Sequence, residues 1–172
     1  MTGIMAAVAG TSQNIIYAAG LYNTSTGVDQ SPINGSVNNF NLNTTVTRNY
    51  TWIGYFTPAS DATVSLSLQT TATTGDFGDS ASTTGRLWLG ATAKSGFTDG
   101  NANITATGNQ TVSANFPMLL GVRYAIRIQW VGSYTVGGGF GGDSASGSLT
   151  FLASGSSNVT NRIFYNSLTN GF

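Results

Sequence analysis

Apolar residues along the chain alternate with polar ones in short runs, and no run sustains a helical spacing. Val64-Ser65-Leu66-Ser67-Leu68 puts Val64, Leu66 and Leu68 on one face of a strand. The stretch from Val122 to Trp130 repeats the pattern. It sends Val122, Tyr124, Ile126, Ile128 and Trp130 one way, and Arg123, Ala125, Arg127 and Gln129 the other. Trp52-Ile53-Gly54-Tyr55-Phe56, Arg86-Leu87-Trp88-Leu89 and Ser148-Leu149-Thr150-Phe151 read as further strands, bounded by the Gly, Pro, Ser and Asn that turns require. The pattern predicts an all-β protein built as a single antiparallel β-sandwich.

Three regions differ in character. Residues 1–48 carry apolar patches (Ile4-Met5, Ile15-Ile16-Tyr17, Leu21-Tyr22) among Gly, Ser, Thr and Asn, and read as an extended N-terminal docking arm. Residues 49–153 hold the strands of the sandwich, and residues 154–172 form a tail in which Arg162-Ile163-Phe164-Tyr165 reads as a closing strand. The intervals from Thr70 to Gly85, Ala91 to Asn115 and Gly132 to Gly147 are long for connections in a compact domain. Such intervals are binding loops or contain small strands of their own.

Charge changes the picture more than hydropathy does. Only 7% of the 172 residues are charged, six basic against six acidic, and every acid is Asp. The surface is therefore made of hydroxyls and amides, with little repulsion to keep copies apart. That suits a subunit of a multi-copy assembly, or a protein facing sugars. It argues against nucleic acid, because nothing neutralises a row of phosphates. Cys, His and Glu are all absent, which removes the common nucleophile, general base and metal ligands. No catalytic residue, metal site or cofactor is expected. The apolar N-terminus, Met1 to Gly10, lacks a basic leader and is too short to span a bilayer, so no membrane insertion is expected. Without a secretion signal, release inside a virus particle is the simplest route out of a cell.

Four motifs together resemble the PA14/GLEYA type of β-sandwich found in adhesins, toxins and glycan-binding modules, with related domains in structural proteins of marine bacteriophages. They are Trp52-x-Gly54-Tyr55-Phe56-x-Pro58, Leu87-Trp88-Leu89-Gly90, the Phe97 to Ile104 loop, and Arg123-Tyr124-x-Ile126-Arg127-Ile128, within residues 50–153. Sugar-binding members of that family hold calcium through adjacent acids before the Leu-Trp-Leu-Gly strand. Here the stretch reads Ser82-Thr83-Thr84-Gly85-Arg86, with no carboxylate, so the family's calcium site is not expected.

The resemblance and the composition together imply a bacteriophage structural protein on the outside of the particle. The first expectation is a tail, baseplate or fibre part; the alternatives are a capsid decoration protein and a free-standing glycan-binding adhesin. Its partners are then other virion proteins, further copies of itself, and a host-surface glycan. Candidate contact residues lie in the loops: Asp76 and Asp79 in Gly75-Asp76-Phe77-Gly78-Asp79, Tyr134, and Phe140 and Asp143 in the glycine-rich stretch from Val136 to Asp143. Trp52, Trp88 and Trp130 could form a stacking platform for sugar, but their apolar neighbours place most of them in the core.

Overall fold

The computed structural model describes residues 37–42, 47–56, 58, 61–75, 77–138, 144–154 and 165–166. These form strands β1 (Val37–Leu42), β2 (Arg48–Phe56), β3 (Ala62–Thr74), β4 (Ser80–Leu89), β5 (Ile104–Thr107), β6 (Gln110–Met118), β7 (Tyr124–Thr135), β8 (Ala145–Ser154) and β9 (Tyr165–Asn166). A single helical turn, α1 (Ala91–Lys94), and a 3-10 turn (Asp99–Asn101) lie between β4 and β5.

Two antiparallel sheets pack face to face. One runs β1-β8-β3-β6 and the other β5-β4-β7-β2-β9. Strands β1 to β8 thus follow the connectivity of a jelly roll, in which two Greek keys fold over one another across a shared core. The chain crosses between sheets at nearly every connection, so each sheet is assembled from residues far apart in sequence.

Alternation accounts for the core. Val64, Leu66 and Leu68 of β3, Ile126, Ile128 and Trp130 of β7, Leu87 of β4, and Leu149 and Phe151 of β8 are all fully buried between the sheets. An aromatic stack closes one side. The Phe40 ring lies 4.3 Å from Trp130 and 4.6 Å from Tyr50, stacked on both.

That stack moves the boundary expected for the N-terminal arm. Residues 37–42 are a full strand of the sandwich, paired along β8 from Val37↔Thr150 to Leu42↔Ala145. Phe40 and Leu42 need burial, and the alternation Asn39-Phe40-Asn41-Leu42 provides it. The remainder of the arm, residues 1–36, lies outside the described residues, as does most of the tail. Within the tail, Tyr165 and Asn166 pair with Ile53 and Trp52.

The long intervals contain strands. β3 and β4 extend until only residues 75–79 separate them, and β5 and β6 occupy much of the interval from Ala91 to Asn115. The strand expected from Val122 begins instead at Tyr124. The Val122 N–H donates to the Leu119 carbonyl at 3.2 Å, closing a turn that leaves Val122 exposed.

The outer face of the five-stranded sheet has a core of its own. Trp88 and Ala125 pack there beneath Ala93 of α1, with Phe97 and Ala102 alongside. The Trp88 indole N–H donates to the Thr98 carbonyl at 2.9 Å and to Asn101 Oδ1 at 3.0 Å, so the covering segment is held by hydrogen bonds as well as by packing. Arg127 is buried beside Trp88 in the register. Its Nε donates to the Ala93 carbonyl at 3.0 Å, and its guanidinium lies 3.7 Å from the centre of the Phe97 ring. The sandwich thus has one sheet covered on its outside by the 90–103 segment.

Candidate interaction surface

Jelly-roll connectivity collects loops at the two ends of the sandwich. The β3–β4, β5–β6 and β7–β8 connections share one end; the β2–β3, β4–β5 and β6–β7 connections share the other. Three surfaces stand out among the described residues: the first end, the β6–β7 turn, and the outer face of the four-stranded sheet.

At the first end, Asp79 is the organising residue. One carboxylate oxygen accepts the Tyr134 hydroxyl in a short hydrogen bond, and the other accepts the Gly137 N–H at 2.8 Å. Gly75 N–H donates to the Ser144 carbonyl at 2.8 Å, and Ala72 N–H donates to Asn109 Oδ1 at 2.8 Å. Side-chain and backbone bonds therefore tie three connections into one surface. Gly137 is required here by close approach: a Cβ on it would sit 1.7 Å from the Gly78 carbonyl oxygen. From this braced tip Phe77 projects, 93% exposed, and Val136, next to Gly137 in the chain, is also exposed.

Of the residues singled out from sequence, the structure brings Asp79 and Tyr134 together; Asp76, Phe140 and Asp143 lie outside the described residues. The role expected for Tyr134 is corrected. It is only 6% exposed and cannot present its ring to a sugar. The reason is parity: β7 runs on to Thr135, so Tyr134 keeps the core-facing register of Ile126, Ile128 and Trp130. Asp79 likewise holds the tip together through both of its oxygens. Among the described residues no group of three or more acidic side chains is placed to hold a metal ion.

All three tryptophans are buried, so they form no stacking platform. Trp52 and Trp130 belong to the core between the sheets and Trp88 to the outer cluster. Sequence reasoning missed Phe77, although an aromatic between Asp and Gly in a turn was a readable signal.

The β6–β7 turn presents Leu119, Leu120 and Val122 to solvent, with Leu120 61% exposed. Its backbone is fixed from two directions. Asp61 Oδ1 accepts the Leu120 N–H at 2.6 Å, and the Tyr124 hydroxyl oxygen accepts the Leu119 N–H at 2.9 Å. A rigidly held turn with aliphatic side chains outward is a preformed contact, with little ordering entropy left to lose on binding.

The outer face of the four-stranded sheet is mostly hydroxyl and amide, interrupted by the exposed Leu152 of β8, and its central Ser67, Ser148 and Thr150 are buried among their neighbours. Asn39 and Asn41 come from β1, Ser146, Ser148 and Thr150 from β8, Thr71 and Thr73 from β3, and Thr111, Ser113 and Asn115 from β6. No strand of this sheet contains a charged residue. Cross-strand hydroxyl pairs stitch the face, Thr71 to Ser148 at 2.6 Å and Thr73 to Ser146 at 2.7 Å. No family model, curated protein or solved structure matches the chain.

Proposed function

We propose that this chain is a non-enzymatic structural protein of a bacteriophage particle. In this reading it sits on the outside, as a part of the tail, baseplate or fibre that contacts the host surface. The observation that carries the reading is the uncharged hydroxyl-and-amide face of the four-stranded sheet, which lets many copies and neighbours pack without electrostatic repulsion. Jelly rolls serve viral capsids and lectins, both adhesive settings, which supports a binding rather than a catalytic body. The resemblance of the aromatic strand motifs to PA14/GLEYA-like domains of marine phage structural proteins supports the particle in particular.

Attachment follows from the layout of the surfaces. The uncharged face meets neighbouring subunits, while the braced tip around Phe77 and the Leu119–Val122 turn are available to a second surface. A weak contact repeated across many copies becomes collectively strong. The jelly-roll order also favours a second reading, a capsid decoration protein cementing shell subunits.

Mass spectrometry of purified phage particles, with antibody labelling in electron micrographs, tests both readings. Finding the chain in stoichiometric amounts at the tail or baseplate is the expected result, and labelling over the head selects the second reading. Absence from the particle, or turnover of any substrate by the pure chain, would overturn the proposal.

A further inference from the structure

We infer that β6 is a self-pairing edge: two copies of this chain associate by laying their β6 strands antiparallel across a two-fold axis, joining the two four-stranded sheets into one. This deepens the multi-copy reading above by naming the partner as a second copy and the contact as a strand edge.

Edge strands expose unpaired backbone donors and acceptors, and proteins that stay monomeric blunt them with charge, proline, shortness or a covering segment. Judged so, β6 differs from the other long-axis edges. Among the described residues β1 has six residues and β5 has four, whereas β6 has nine and pairs only with β3. Its sequence, Gln110-Thr-Val-Ser-Ala-Asn-Phe-Pro-Met118, has no charged side chain, and its single proline stands next to the end.

The occupant is argued from complementarity. A two-fold axis brings a strand opposite itself, so each side chain meets one from the same short list. Like charges facing each other would oppose that, and β6 has none. Its outward Thr111, Ser113 and Asn115 are exposed and carry the same chemistry that already pairs Thr71 with Ser148 and Thr73 with Ser146 within the sheet. Thr111 and Ser113 of one copy can pair with hydroxyls of the next in the same way, while Val112, Ala114 and Phe116 keep facing the core.

The test uses the full chain, which contains no cysteine, so one introduced thiol reports without background. Ser113→Cys is expected to give a disulfide-linked dimer under mild oxidation. Carrying a benzophenone label instead, it is expected to crosslink to β6 of a second copy, read by peptide mapping. In sedimentation equilibrium, Ser113→Lys with Asn115→Lys should raise the dimer dissociation constant roughly tenfold or more, because lysines then face lysines across the axis. The circular dichroism spectrum should not change, since both positions point to solvent. A chain that is monomeric at every concentration, a dimer indifferent to the two lysines, or a crosslink landing in residues 1–36 would each overturn the inference. Particle composition is a separate measurement, so either proposal can fail while the other stands.

Discussion

The Tyr134 hydroxyl donates to the Asp79 carboxylate, and through it the end of β7 is fastened to the turn that opens β4. The two residues lie 55 apart in sequence, and the ring that makes the bond is otherwise part of the core. One polar contact thus couples core packing to the shape of an exposed loop tip.

Removing that hydroxyl should be felt in stability. Tyr134→Phe keeps the ring and leaves Asp79 without its buried donor, at a cost of about 1–2 kcal/mol. Asp79→Ala loses the bond to Gly137 as well and should cost more. Urea denaturation of both single variants and the double variant gives the coupling, and additive effects would show that the two side chains do not act as a pair.

Two neighbouring glycines should respond very differently to alanine. Gly137→Ala places a methyl group against the Gly78 backbone, where no flexible side chain can yield. Overpacking of this kind costs about 1–3 kcal/mol. Gly138→Ala meets nothing within 4 Å and should be nearly neutral. Equal melting temperatures for the two variants would contradict the contact.

In the core, the Trp130 indole occupies the space left by a missing side chain on β8. A Cβ at Gly147 would lie 2.7 Å from Trp130 Cζ2 and 2.6 Å from Thr83 Cγ2. Gly147→Ala should therefore destabilise by about 1–3 kcal/mol, and Trp130→Phe in the same chain should recover part of the loss. Strict additivity in a denaturation cycle would be the contrary result.

Arg127→Lys should not behave as a conservative change. A lysine retains the charge but loses both the planar stacking on Phe97 and the Nε donor to Ala93. A loss of about 1–2 kcal/mol is expected, with Phe97→Ala non-additive to it. Wild-type stability in the lysine variant would show that the 90–103 segment is held by other contacts.

Tryptophan fluorescence offers a check on the absence of a stacking platform. With Trp52, Trp88 and Trp130 all buried, emission should be blue-shifted and poorly quenched by iodide. Strong quenching, or an emission change on adding sugar, would put an indole at the surface.

Periodicity alone carried the all-β class, the strands around Val64, Leu87, Ile126 and Phe151, and the core placement of Trp130, because alternation and burial express the same local constraint. It also placed Arg127 and Trp130 on opposite faces of one strand, which the structure bears out. It could not say that a second core would bury Arg127, since that depends on where the 90–103 segment folds back. Strand ends escaped it for a related reason. Whether Tyr134 continues a strand or enters a loop depends on pairing with β4, a partner distant in the chain. Local alternation is written in each stretch of residues, whereas strand order, the Asp79–Tyr134 brace and the place of β6 at the end of its sheet arise only when separate stretches meet, and no single stretch encodes its neighbour.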